Sequence, residues 1–342
     1  MIARRVVNFS LIAGSYLLSR VVRKPVQWGK PSAVSLEPVN RCNLHCPECP
    51  TGNREITRPQ GTMTLNRFRD ILEQLGPELA WVTLYFQGEP YLNPGFLEMV
   101  RVAKARNLHV ITSTNGHFLS TETALETVRS GLDRLIVSLD GATQESYSAY
   151  RAGGSLERVV AGLAHLAEAK QVLGSKTPRV IVQCLLLSTN IHEQRQIRQI
   201  AKEVKADQVE FKTAQFYDFE NGNPLMPEET YSRYKKSTNP RIHESTNQPS
   251  LPPCHPVTLS PKYVVKNKLR NSCFRMWSSC VVTWDGLVVP CCFDKDAAYV
   301  MGDLNQQRFN EIWKGEKYRD FRNKILKNRK SNDICRNCTQ KY

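Results

Sequence analysis

No apolar run in this 342-residue chain reaches the roughly 20 residues that a membrane-spanning helix needs. Mean hydropathy is −0.42, the value of a globular composition rather than of a bundle of apolar spans. There is no internal repeat, which sets aside solenoids and propellers. Acidic residues are short against basic ones, 32 against 47, leaving a formal net charge of +15. Cysteine is nearly missing from the middle: between Cys49 and Cys273 there are only Cys184 and Cys254. Eleven cysteines, an odd number, gathered at the two ends do not read as a secreted disulfide framework. They read as metal sites in a reducing compartment, taken here as cytoplasmic, with Cys184 and Cys254 as ordinary thiols.

The basic surplus is uneven. Residues 261–342 hold 17 Lys and Arg and 8 Asp and Glu, so this last quarter carries +9. Nucleic acid is one reading of such a chain, drawing on the basic run Arg322–Lys330. A run of this kind is more often a solvated helix face. Anionic cofactors offset part of the surplus: two iron–sulfur cores with three and four thiolates lower it to about +12. No nucleic-acid partner is expected. A basic surface also suits an acidic electron donor of the flavodoxin or ferredoxin kind.

At the start of the chain, Arg4 and Arg5 precede an apolar stretch that Asn8, Ser10, Gly14, Ser15 and Ser19 interrupt, with no A-x-A cleavage site after it. The expectation is an amphipathic helix packed on the protein, without a transmembrane span. Peripheral membrane contact by this helix is the second option.

From residue 33 to about 214, β-rich runs alternate with helical patterns. Strands are expected at Ala33–Val39, Trp81–Glu89, His109–Thr114, Arg134–Asp140, Arg179–Leu187 and Gln208–Ala214. Helices are expected after Thr64 and Pro94 and over Thr121–Ser130, Leu156–Leu173 and His192–Val204. Six such units predict an α/β chain built as a partial (β/α)6 TIM-like barrel, with a small C-terminal cysteine-rich α+β module. The expected divisions are a helix over 1–30, the barrel over 31–214, a connecting loop over 215–268 and the module over 269–342. In barrels of this type chemistry sits at the C-terminal strand ends. Gln183 and Lys212, on strands five and six, have side chains that would face that mouth.

Directly after the first strand comes Cys42-x3-Cys46-x2-Cys49. Three thiolates this close can hold three irons of a cubane and leave the fourth iron open to a cofactor. The alternative is structural zinc, which wants a fourth ligand from His45 or a distant cysteine. The position of the loop favours the cluster.

This motif, at the mouth of a β/α partial barrel, resembles the radical S-adenosylmethionine (SAM) superfamily. Glu48 stands where that family usually has an aromatic residue. Gln87-Gly88-Glu89 stands where the family has Gly-Gly-Glu binding the SAM amino group. The resemblance implies that Ser113, Asn115, Ser138 and Asp140 hold the ribose and carboxylate of SAM, with Arg151 a carboxylate partner. Each of these also has an ordinary turn-forming reading.

Cys273, then Gly286-x4-Cys291, then Cys335-x2-Cys338 is similar to an auxiliary-cluster module of the SPASM type, in its shortened Twitch form. The resemblance implies one auxiliary [4Fe–4S] cluster on Cys273, Cys291, Cys335 and Cys338. Cys292 and Cys280 are rival ligands, and a four-cysteine zinc knuckle is the alternative. Asp285-Gly286 predicts a two-residue hairpin turn that pairs Trp284 with Leu287 and Cys280 with Cys291.

Together these features predict an enzyme that splits SAM reductively at a [4Fe–4S] cluster. The resulting 5′-deoxyadenosyl radical takes hydrogen from an unidentified substrate, and a second [4Fe–4S] cluster assists. The short module favours oxidation of a small molecule. A peptide-modifying maturase is the alternative, and a non-catalytic metal protein that binds nucleic acid is the reading from another class.

Overall fold

The computed structural model describes residues 2–237 and 263–339; Cys254 and much of the expected connecting loop lie outside them. A nine-stranded sheet organises the chain. Six parallel strands come first: β1 (Ala33–Leu36), β2 (Trp81–Thr83), β3 (His109–Thr114), β4 (Arg134–Ser138), β5 (Arg179–Leu186) and β6 (Gln208–Thr213). A short antiparallel pair, β7 (Tyr234–Lys236) and β8 (Tyr263–Val265), stands apart. The last strands are β9 (Ser279–Val282), β10 (Leu287–Val289) and β11 (Gly302–Asp303), and the sheet order is β11-β10-β9-β1-β2-β3-β4-β5-β6.

The helices between the parallel strands are α2 (Leu65–Leu75), α3 (Phe96–Ala105), α4 (Thr121–Arg129), α5 (Gln144–Tyr150), α6 (Leu156–Val172) and α7 (Gln194–Glu203), with α1 (Ile2–Val22) before them. The module adds α8 (Arg275–Ser278), α9 (Phe309–Lys314), α10 (Glu316–Asn328) and α11 (Asp333–Arg336). In α2 the apolar positions Phe68, Ile71, Leu72 and Leu75 fall on one face and are buried. The Thr64 hydroxyl caps that helix by accepting from the Arg67 N–H. The architecture is the expected α/β partial barrel plus C-terminal module. Of the barrel's two edge strands, β1 is covered, because β9 pairs with it in parallel and the module continues the same sheet, while β6 ends that sheet.

Three expectations need correction. The second strand stops at Thr83, not Glu89. Beyond it Gly88 adopts φ 76°, and a Cβ there would lie 2.4 Å from the Val39 carbonyl oxygen. The Glu89 N–H donates to the Arg41 carbonyl at 2.8 Å. This segment leaves the ladder to lie against the chain entering the cysteine loop, which only glycine permits.

The hairpin register is also shifted by one. Val282 pairs with Val288 and Val281 with Val289, so the turn spans Trp284-Asp285-Gly286, with Gly286 at φ 98°. This is the three-residue turn that ends in a left-handed residue. Cys280 therefore falls opposite Pro290 rather than Cys291. A slip of one residue exchanges the faces of a strand.

The run Arg322–Lys330 is not wholly solvated. Arg322 and Arg329 are 1% and 2% exposed. The Arg322 guanidinium lies 4.4 Å and 4.6 Å from the Trp313 and Tyr318 ring centres and donates to the carbonyls of Met276 and Trp313. Burial pushes its pKa down to about 10.

One buried ion pair ties barrel to module. Arg58 donates to both Glu37 oxygens, at 2.9 and 2.8 Å, and the Trp284 N–H donates to the same carboxylate. The Arg58 and Glu37 side chains are 5% and 0% exposed. Glu37→Ala strands the guanidinium in the interior and is expected to cost about 3–5 kcal/mol in denaturant unfolding. A loss within experimental error would show that the pair is not holding the two parts together.

Candidate active site at two cysteine clusters

The C-terminal ends of β1 to β4 open into a cavity of about 110 Å3. Cys42, Cys46 and Cys49 line it together with Gly88, Glu89, Ser113, Asn115, Ser138 and Arg151. Residues up to 109 positions apart in sequence thus converge as the cysteine motif and strand ends anticipated. Gln87 and Asp140 do not line the cavity. The Gln87 side-chain carbonyl accepts from the Thr51 hydroxyl at 3.1 Å. Asp140 is fully buried, accepting from Arg151 Nε at 2.5 Å and from the Leu185 N–H at 2.6 Å. It aims Arg151, whose Nη1 comes within 3.8 Å of Cys46 Sγ.

Glu89 is 2% exposed, and burial pushes its carboxyl up to about 7 despite three donors. These are the Thr114 hydroxyl and the Asn115 N–H, each at 2.7 Å, and the Tyr91 N–H at 3.3 Å. A carboxylate has about four lone-pair sites, so one remains for a ligand. Asn115 in turn places its amide 3.7 Å from Cys42 Sγ. Among the described residues no fourth cysteine or histidine lines this cavity, and His45 is exposed. Gln183 and Lys212 line neither cysteine cavity. Lys212 is 51% exposed and paired with Glu210.

Cys273, Cys291, Cys292, Cys335 and Cys338 line a second cavity with Met276, Phe321 and Ile325. Cys292 shares it with the four favoured thiols. Cys280 does not: it faces the packed side of β9 near Arg322, and burial pushes its thiol up to about 12. Arg329, buried beside these thiols, donates to the Ser272 carbonyl and lies 3.2 Å from Cys338 Sγ. Among the described residues it has no carboxylate partner. A buried guanidinium needs an anion, and thiolates are the anions at hand. Arg275 Nη1 lies 3.5 Å from Cys292 Sγ. Among the described residues, no three Cys, His, Asp or Glu side chains converge as the ligand set of a single ion. Thiolates around a cubane bind separate irons and stand further apart.

Three further side chains lie about these cavities, Tyr85 and Lys295 outside the sequence motifs and Glu48 within the cysteine loop. Tyr85 lines the first, and its hydroxyl is raised by burial and by the nearby Cys292. Lys295 is lowered by desolvation, with Cys49 and Cys292 both acting on it, and its ammonium sits 5.0 Å over the Tyr217 ring. Glu48 accepts from the Tyr217 N–H at 3.3 Å and from the Asn223 amide at 2.6 Å, binding the 215–225 segment to the cysteine loop. That segment and α11 frame an open cleft of about 430 Å3, lined by Tyr217, Asp218, Glu220, Phe293, Asp333 and Arg336 among others. Only the Glu48 departure from the family pattern pointed toward it in sequence.

Residues 36–182 match the family model described as the radical SAM superfamily, and residues 273–339 match that of SPASM, an iron–sulfur cluster-binding domain. The chain belongs to the radical SAM superfamily. It is 28% identical over 295 residues to a PqqA peptide cyclase of Streptomyces rochei, covering 83% of this chain and 76% of that one. It is 24% identical over 309 residues to an AdoMet-dependent heme synthase of Methanosarcina barkeri, covering 85% of each. The structure of Streptococcus suis SuiB bound to precursor peptide SuiA shares the fold, with TM-score 0.60, 12% identity, and coverage of 90% of this chain and 71% of that one.

This radical SAM chain is therefore an enzyme whose two matched domains imply SAM and iron–sulfur clusters as cofactors. Both cavities fit that chemistry. Among the described residues, the first offers three thiols and no fourth cysteine or histidine, and the second sets the Arg329 guanidinium, without a carboxylate partner, among its thiols. Glu89→Gln should weaken SAM binding by roughly 10- to 100-fold in equilibrium dialysis, the effect of losing a hydrogen bond to a charged group. Unchanged affinity would remove Glu89 from the SAM site.

Proposed function

We propose that the chain cleaves SAM at the Cys42–Cys46–Cys49 cavity and uses the result to oxidise a side chain of a peptide. The observation that carries the reading is the single cavity in which three thiols meet Glu89, Asn115, Ser138 and Arg151. When bound, the cluster would supply one electron to SAM through its open iron, generating a radical that abstracts hydrogen. In this reading Cys42, Cys46 and Cys49 hold that cluster, and Glu89 takes the SAM amino group on its remaining lone pair. Arg151, aimed by Asp140, takes the SAM carboxylate, while Ser113 and Ser138 take the ribose.

One auxiliary [4Fe–4S] cluster would sit on Cys273, Cys291, Cys335 and Cys338, with Cys292 against its wall. Arg329 offsets the thiolate charge there. The cleft between the 215–221 segment and α11 receives the substrate, and Tyr85 and Lys295 lie between it and the two clusters. Lys295 is the group placed to take up the proton released on oxidation. The name of the Streptomyces rochei relative supports a peptide over the small molecule that the short module favoured. An acidic flavodoxin or ferredoxin is the fitting electron donor for a chain of +15.

Cys46→Ala should abolish 5′-deoxyadenosine formation from SAM and dithionite. Cys335→Ala should keep uncoupled cleavage while the bound iron falls by about half, two cubanes going to one. Cleavage surviving in Cys46→Ala would refute the assignment. For the substrate, short peptides encoded beside the gene should lose two hydrogens in mass spectrometry. If they are untouched while small alcohols are oxidised, the small-molecule reading stands instead.

A further inference from the structure

Helix α1 is built the wrong way round for water. It turns Asn8, Ser15 and Ser19 toward the protein beside Ile12 and Tyr16, each of the three hydrogen-bonded, and turns most of its aliphatic side chains outward. Nine of the fifteen exposed large hydrophobic side chains among the described residues lie in this one helix. Ile2 and Val21, at its two ends, are 78% and 80% exposed, and Val6 and Leu17 between them are 59% and 57%. At 3.6 residues per turn, the outer arc bounded by Arg4 and Arg20 holds no charged residue. A surface helix of a water-soluble protein has the opposite pattern.

The charge around this face has one sign. Residues 1–36 contain six Lys and Arg and no Asp or Glu. Arg5 and Lys30 are spent on the protein, the first on the carbonyls of Arg106 and Asn107 and the second on Glu78. Arg4, Arg20, Arg23 and Lys24 are exposed at the borders and end of the apolar face. A second copy of this chain would bring these cations against their own kind, which disfavours a symmetric dimer here. An apolar strip edged by cations is complementary to acyl chains beneath anionic headgroups. No helix among the described residues is long and apolar enough to cross a membrane.

We propose that α1 is a monotopic anchor, lying in the interface of an anionic bilayer. Val6, Leu17 and Val21 enter the acyl boundary, while Arg4, Arg20, Arg23 and Lys24 meet headgroup phosphates. The anchoring contacts fix how the enzyme then sits. Arg5 bonds carbonyls just before β3, and Asn8 bonds Lys30 just before β1, so α1 covers the N-terminal edge of the sheet. The Cys42–Cys46–Cys49 cavity opens at the opposite edge, and the cleft, which begins just after β6, lies on that side and faces water. This proposal does not depend on the catalytic reading.

The test is flotation of the full chain with vesicles of equal phosphatidylglycerol and phosphatidylcholine, set against vesicles of phosphatidylcholine alone. The chain should float with the anionic vesicles and about ten-fold less with the neutral ones. Val6→Glu with Leu17→Glu should lower anionic-vesicle binding about ten-fold or more, with an unchanged thermal melt because both side chains are exposed. Arg20→Glu with Arg23→Glu, which leaves the apolar face intact, should erase the preference for anionic lipid. Failure of the wild-type chain to float would overturn the proposal, as would a Glu pair that floats like wild type. A dimer that the Glu pair dissociates, with no vesicle binding, would assign the face to a second copy instead.

Discussion

Strand β1 fixes the relation between the two cysteine sites. It pairs with β2 on one side and β9 on the other, so the loop that leaves its end and the hairpin of the module belong to one hydrogen-bonded frame. Glu37, the residue after β1, takes Arg58 from the barrel side and the Trp284 N–H from the module side. At Gly61 a Cβ would sit 2.3 Å from the Trp284 ring, so the contact leaves no slack. The two cysteine sites cannot drift apart without breaking sheet.

The electrostatics derive from burial. Thiols in apolar cavities resist ionisation, and desolvation pushes Cys42 and Cys335 each up to about 11. Metal ligation requires thiolates, so something must favour the anion. Arg151 beside Cys46, Arg329 beside Cys338 and Arg275 beside Cys292 are the cations in position. Part of the +15 surplus is thus a requirement of the interior rather than a surface for nucleic acid. Arg329, which looked like part of a solvated run, is the clearest case.

Much of this was legible in sequence because its signals are local. Alternating β and α patterns marked the barrel, ligand spacing marked the cysteines, and Thr64 marked a helix start. Asn115 was singled out because strand ends are where such barrels gather polar groups, and Glu89 because Gln87-Gly88-Glu89 resembles a family motif, although β2 ends at Thr83. What escaped depends on long-range geometry. The hairpin register turned on whether two or three residues make the turn, and Asp285-Gly286 fits both. No periodicity reveals that β9 pairs with β1, that Asp140 serves Arg151, or that Glu48 holds the 215–225 segment. Tyr85 and Lys295 sit between the cavities only because two distant parts of the chain share one sheet.

The central claim is that the Cys42–Cys46–Cys49 site leaves one iron uncapped by protein. The most direct measurement is electron paramagnetic resonance of the anaerobically reconstituted, dithionite-reduced Cys335→Ala chain with and without SAM. The account predicts a reduced [4Fe–4S] signal whose g-values shift when SAM is added. A signal indifferent to SAM, or a site filled by zinc with a complete set of protein ligands, would contradict it.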